Sequence, residues 1–224
     1  MTGYRTAAAV ATVLAAVLLG GCTRTSDGTP VAAGAGAATE PGATSGHPDF
    51  GVLPSTGNAP APAGTVTCAP ERRPTIGLVA KVADPGAPVV TVAVPDGWGM
   101  QGGSGDVGAQ LKGPDDMSAV VRIVATGPDP QQSFAEYADE LTAGSGVSAL
   151  SVLPAELCDY SGQKLLGTLA DGAQPATEFV DRIVHVRTRG GDYLIAVHAE
   201  APAGSSDFDS AATQLTEDFE VKMP

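Results

Sequence analysis

Little of this chain is aromatic: 4% of 224 residues, with a single tryptophan. That leaves no stacking platform for nucleobases and no carbohydrate-binding stripe. Basic residues are scarce too, 12 Lys and Arg against 25 Asp and Glu, for a formal net charge of −13. Such a surface repels nucleic acid and anionic lipid headgroups. No nucleic-acid partner is expected, and attachment to a membrane must come from acyl chains, not from a basic patch. The familiar catalytic signatures are missing: no HExxH, no Gly-x-Ser-x-Gly, no Ser-x-x-Lys, no P-loop and no dinucleotide fingerprint. The loop Gly102-Gly103-Ser104-Gly105 has no following Gly-Lys-Ser/Thr, and Gly99 to Gly108 reads as a mobile loop.

Histidine is equally sparse, at His47, His185 and His198. Two imidazoles do not make a metal centre without third and fourth ligands, so no metal and no cofactor is expected. Asp115-Asp116 and Asp181/Glu200 are carboxylate pairs. A glycosidase needs a cleft and two acids about 5–10 Å apart, which sequence does not supply. No catalytic residue can be named, and the chain is not expected to be an enzyme.

What is present begins at the N-terminus. Arg5 precedes an Ala/Val/Leu run from Thr6 to Leu19, which ends in Leu18-Leu19-Gly20-Gly21-Cys22. The run falls short of the about 20 apolar residues of a transmembrane helix and fits a signal-peptide core with a small-residue cleavage site. The last five residues have the pattern of a bacterial lipobox. Residues 1–21 are therefore read as a lipoprotein signal peptide and Cys22 as the lipidation site. The competing readings are an uncleaved signal anchor, or ordinary cleavage with Cys22 incidental. Residues 22–64 are rich in Ala, Gly, Pro and Thr and cannot bury enough apolar surface to offset their ordering entropy. They are expected to be a flexible tether with an r.m.s. reach of roughly 35 Å. Residues 65–224 are expected to form one domain. Cys68 and Cys158 are the remaining cysteines, and outside the cytoplasm a disulfide between them is the natural reading, with two free thiols as the alternative.

Within the domain, Thr75–Val82 is ambiguous between helix and strand. Asp84-Pro85-Gly86-Ala87-Pro88 is a turn and Val89–Val94 a buried strand. Pro95-Asp96-Gly97 ends that strand, and Trp98 is a packing anchor beside it. Strands are expected at 109–112, 119–126, 149–153 and 163–169. Asp129-Pro130 opens a helix whose apolar face is Phe134, Tyr137, Ala138 and Leu141. Ser206-x-x-Asp209 resembles a capping box opening a last helix, before a short closing strand at Phe219–Val221.

Thr177–Glu200 reads as a β-hairpin turning at Gly190-Gly191. A two-residue turn pairs residues whose numbers sum to about 381, which sets Ile183 opposite His198 and Leu194 opposite Arg187. Val180, Val184, Val186, Tyr193, Ile195 and Val197 then share a core face. The other face is mixed, and two readings of it stand. Either Ile183, His185 and His198 border a binding groove with Arg187 at its rim, or a helix covers the face.

The turn-strand-turn from Asp84 through Val89–Val94 to Pro95-Asp96-Gly97-Trp98 is similar to that of the mycobacterial LpqN/LpqT lipoproteins. So are the lipobox, the tether and the order of elements over residues 75–224. The resemblance implies a PsbP-like α+β fold: a mainly antiparallel sheet packed between helices, an αβα sandwich. It also implies a cell-envelope accessory protein that handles envelope lipids or docks on membrane transport machinery, and it carries over no catalytic residue. The leading expectation is a lipid-anchored binding or scaffold protein on the extracytoplasmic face of the cell membrane. The alternatives are a carrier with an apolar cavity for a lipid or glycolipid, and an envelope hydrolase.

Overall fold

A computed structural model describes residues 50–54, 59–143, 146–170 and 175–224. The lipobox with Cys22, most of the expected tether and His47 lie outside these residues.

Eleven strands and two helices are described, and every strand pairing is antiparallel. A four-stranded sheet has the order β1-β11-β3-β2. Its strands are β1 (Val66–Cys68), β2 (Gly77–Ala80), β3 (Val89–Ala93) and β11 (Glu220–Lys222). A seven-stranded sheet has the order β4-β5-β6-β10-β9-β8-β7. It is built from β4 (Gly99–Gly102), β5 (Val107–Lys112), β6 (Ser118–Thr126), β7 (Gly146–Pro154), β8 (Gly162–Ala170), β9 (Thr177–Arg187) and β10 (Asp192–Pro202). Thr75–Val82 thus resolves to a strand. Part of the glycine-rich segment expected to be a mobile loop is instead β4, because its backbone pairs with β5 from Gly99–Lys112 to Gly102–Ala109.

α1 (Pro130–Thr142) starts as its residues dictate: the Asp129 side chain accepts from the Gln131 and Gln132 amides, and Pro130 takes the first helical position. α2 (Phe208–Thr216) does not use the expected capping box. Its N-cap is Asp207, and no side chain caps it. The shift lets Phe208, Ala211, Ala212 and Leu215 face inward.

The expected αβα sandwich is not formed. On one face of the large sheet, Val121, Ile123, Val184 and Ile195 share a core with Val90, Val92 and Val221 of the small sheet and with Phe208 and Leu215 of α2. That face is covered by a sheet and a helix together. The other face carries α1, whose Phe134 and Tyr137 pack on Phe179, Ile183, Leu194 and Ala196. β2, β3 and β11 pair in a sheet of their own and bury their apolar sides by stacking on the large sheet.

The hairpin is longer-turned than expected. β9 and β10 pair with residue numbers summing to 379, from Asp192–Arg187 to Pro202–Thr177, across a loop of residues 188–191. The Thr188 amide donates to Gly191 O. The tip docks on the 84–88 turn: Thr188 Oγ1 donates to Gly86 O at 2.9 Å, and the Tyr193 hydroxyl donates to Asp84 Oδ2 at 2.8 Å. Gly86 and Gly190 touch so closely that a Cβ on Gly190 would lie 2.7 Å from Gly86 Cα. A register change of two keeps each residue on its expected face. It changes every cross-strand partner.

Of the stretch expected to be tether, residues 50–54 and 59–64 are described, and they pack on the domain. Gly51 is buried, Gly162 N donates to Gly51 O, and Gly64 N donates to Met223 O. The packed chain therefore extends upstream of residue 65.

Candidate functional site

A cavity of about 410 Å³ opens at the tip end of β9. The apolar part of its lining is proline-rich and includes Leu53, Pro54, Pro60, Pro128 and Pro130. The polar part of the lining is Thr67, Asp159, Tyr160, Ser161, His185 and Arg187. The disulfide Cys68–Cys158 braces the polar part of the lining, because Thr67 precedes one half-cystine and Asp159 follows the other. The turn around it is tight. Leu157 and Tyr160 exchange backbone hydrogen bonds, and Cys158 adopts φ 52°, in the left-handed region.

Most polar groups here are already engaged. The Tyr160 hydroxyl donates to Thr67 Oγ1 at 2.6 Å, and Ser161 Oγ accepts from the Leu53 amide at 2.9 Å. Burial pushes the Tyr160 hydroxyl above its ordinary pKa, against the opposing effect of the Thr67 bond. His185 Nε2 lies 2.9 Å from Gly127 O, so that nitrogen carries a proton and donates. Arg187 Nε donates to Asp192 Oδ1 at 2.8 Å, and its Nη2 reaches Pro128 O at 3.5 Å. Arg187 stays 45% exposed and presents the remaining guanidinium donors to the opening. Among the described residues no hydrogen bond joins Ser161 Oγ to His185. The lining thus combines apolar side chains with a few oriented polar groups.

The four residues expected to border one groove are distributed over three environments. His185 and Arg187 line the cavity. Ile183 is completely buried under α1, between Phe134, Tyr137 and Phe179. Its cross-strand partner is Ala196, not His198. His198 sits opposite Asp181, toward the other end of the strand pair. The groove that would have joined all four is filled by the helix, so Ile183 and His198 are corrected out of it.

His198 belongs to a charged cluster of its own. Its Nδ1 lies 2.5 Å from Asp181 Oδ1 and its Nε2 3.4 Å from Glu200 Oε2. Ser118 Oγ donates to Glu200 Oε1 at 2.9 Å. Asp181 is 0% exposed, and its Oδ2 has no hydrogen-bond partner among the described residues. Burial alone would lower the His198 pKa, but its bonds to Asp181 and Glu200 outweigh burial and push it up to about 10. The His198 bond in turn holds Glu200 down at about 2. Burial raises the Asp181 carboxyl against the attraction of His198. Burial and the Asp181 charge also drive the nearby Tyr137 hydroxyl well above its ordinary range. Among the described residues no group of three or more metal-ligating side chains is arranged around a common point. His198 points its two nitrogens at two different carboxylates, which is the geometry of an ion-pair network.

Sequence reasoning passed over Arg182, which is buried on the core side and donates to Glu156 O at 2.8 Å. The available signal was Asp181-Arg182, two consecutive charges inside the apolar run from Phe179 to Val186.

The fold is that of a mainly antiparallel α+β domain also found among solved structures. LpqN of Mycobacterium tuberculosis, described as involved in cell envelope biogenesis, is similar, with a TM-score of 0.51 and 19% identity over 66% of this chain and 91% of that one. At that identity the likeness shows the fold alone, and it meets the resemblance read over residues 75–224. The solution structure of cyanobacterial PsbP from Synechocystis sp. PCC 6803 matches at a TM-score of 0.37 and 13% identity, over 64% of this chain and 95% of that one, and carries no argument. No family model and no curated protein matches the sequence.

Proposed function

We propose that the chain is a lipid-anchored, extracytoplasmic binding or scaffold protein of the cell envelope, accessory to envelope lipid transport. Its ligand or partner is captured in the cavity beside Cys68–Cys158. The observation that carries this reading is the cavity itself. Its size falls in the lower part of the range of about 300–1,000 Å³ typical of ligand sites, and its lining combines prolines with Arg187 and Tyr160. The likeness to LpqN supports an envelope setting, and the lipobox ending in Cys22 supports the anchor. No helix among the described residues is long and apolar enough to cross a membrane. The carrier reading draws less support, since α1 fills the apolar floor around Ile183 where a lipid cavity was expected.

Two measurements test the proposal. Intact mass of the mature protein should show an acylated Cys22, and Cys22→Ala should move the protein out of the membrane fraction. Native mass spectrometry and crosslinking of protein recovered from membranes should find a bound molecule or partner that Arg187→Glu loses. Retention of that species by the Arg187→Glu variant would move the site away from the cavity.

A further inference from the structure

Residues 50–54 lie on the domain without joining a strand. Three hydrogen bonds to residues 161–163 hold them. Gly162 N donates to Gly51 O at 2.8 Å, the Leu53 amide donates to Ser161 Oγ at 2.9 Å, and Gln163 Nε2 donates to Phe50 O at 2.7 Å. The side chains add less. Phe50 and Pro54 are exposed, Leu53 is half-buried, and Val52 rests half-buried on the cluster that includes Phe134 and Ile183. Gly51 is the one buried residue of the five, and its place admits no side chain. Its φ is 73°, and a Cβ there would strike Gly162 O. The segment also belongs to the cavity. Leu53 and Pro54 line it, and the Leu53 amide occupies the hydroxyl of Ser161, another lining residue. Val52 reaches the layer under α1, whose first residue, Pro130, is in the lining; Gly51 and Leu53 reach the end of the loop that supplies Asp159, Tyr160 and Ser161. Residues 50–54 thus join two elements that both line the cavity.

We propose that residues 50–54 are a releasable strap, whose docking completes the binding cavity and whose opening empties it. The inference rests on the reading of the cavity as the binding site. A segment held by a few backbone bonds, with little apolar burial, belongs to the low end of local stability and opens without the sheet beneath it. When the strap leaves, the cavity loses Leu53 and Pro54, and Ser161 Oγ and Gly162 N turn to water. A molecule resting on Leu53 and Pro54 binds the docked state better than the open one, and so holds the strap down. The coupling is reciprocal: whatever lifts the strap weakens the hold on that molecule by the same factor.

The test uses the full chain carrying Cys22→Ala, so that no detergent competes for the probe. The probe is anilinonaphthalene sulfonate, whose apolar body and single anionic group suit a lining of prolines and Arg187. In this parent chain the Leu53 and Gly162 amides should exchange at least about tenfold faster than the amides of β9 and β10, and bound probe should slow both together. Gly51→Val cannot dock the strap. There Leu53 and Gly162 should lose protection, β9 and β10 should keep theirs, and the probe should bind about tenfold more weakly or worse. Arg187→Glu should weaken the probe with the strap still docked. Loss of β9 and β10 protection in Gly51→Val would make the segment part of the core and overturn the proposal. So would Leu53 and Gly162 amides that exchange only together with β9 and β10 in the parent. Undiminished binding by Gly51→Val, with binding lost in Arg187→Glu, would overturn the strap and leave the cavity standing. Binding unchanged in Arg187→Glu, or absent from the parent at about 1 mM probe, would remove the cavity as the site and the strap's role with it.

Discussion

The buried pair Asp181–His198 offers the sharpest perturbation. Asp181 is 0% exposed, its Oδ2 has no partner among the described residues, and its Oδ1 meets His198. His198→Ala would strand that carboxylate under α1. Breaking a buried pair from one side costs about 3–5 kcal/mol. Against a total stability of about 5–15 kcal/mol that is a large share. For a domain of this size it lowers Tm by about 6–20 °C. Removing both charges, as in Asp181→Leu/His198→Leu, should recover most of the loss, because apolar replacement of a buried pair is close to neutral. The pH dependence gives an independent check. His198 is raised from 6.5 to about 10. Its contribution is complete below about pH 6.5 and is lost as pH rises through 10. Glu200 is lowered from 4.5 to about 2. Its contribution is complete above about pH 4.5 and is lost as pH falls through 2. Between these limits neither His198 nor Glu200 adds a pH dependence. In His198→Ala, the burial-raised Asp181 has no cation to offset it. Stability should then be greatest below about pH 4 and decline as pH rises, more steeply than in the wild type. Urea unfolding at pH 4, 5.5 and 7 reads both effects through the midpoint. A loss below about 1 kcal/mol with an unchanged slope would refute the reasoning.

The remaining predictions concern the core and the brace. Ile183→Glu should fail to fold cooperatively, because it drives a charge into the closed layer between α1 and the sheet; a folded variant in circular dichroism and thermal melts would show that α1 yields. Cys68→Ser/Cys158→Ser releases a loop of 90 residues and should lower stability by about 4–5 kcal/mol in the chain-entropy model, measured as a shift in the urea midpoint.

What the sequence made legible, and what it did not, follows the range of the interactions involved. Local chemistry was readable: Asp129 and Pro130 start α1 as expected, and the alternation of β9 and β10 assigns each residue to its face. Contacts between distant segments were not. Nothing near Ile183 says that α1, more than forty residues upstream, will close over it, although the apolar stripe of Phe134 and Tyr137 required some floor. The hairpin register shows the same division. Gly190-Gly191 is a sound signal for a two-residue turn, yet the loop spans 188–191. Thr188 Oγ1 donates to Gly86 O, accepts from Gly190 N and lies 3.2 Å from Gly191 O. One side chain thus ties the tip to a turn about a hundred residues away, and no local pattern announces it. That tie places His198 opposite Asp181 and Arg187 opposite Asp192, and so fixes both the ion-pair network and the mouth of the cavity. Thr188 is 3% exposed. Thr188→Val keeps the volume, but it leaves Gly86 O and Gly190 N without this partner and should cost about 1–3 kcal/mol. Amide exchange should quicken first at residues 189–191 and at the 84–88 turn, while β9 and β10 stay protected. An unchanged Tm and unchanged exchange at the tip would show that the close approach of Gly86 and Gly190, rather than the hydroxyl, holds the register.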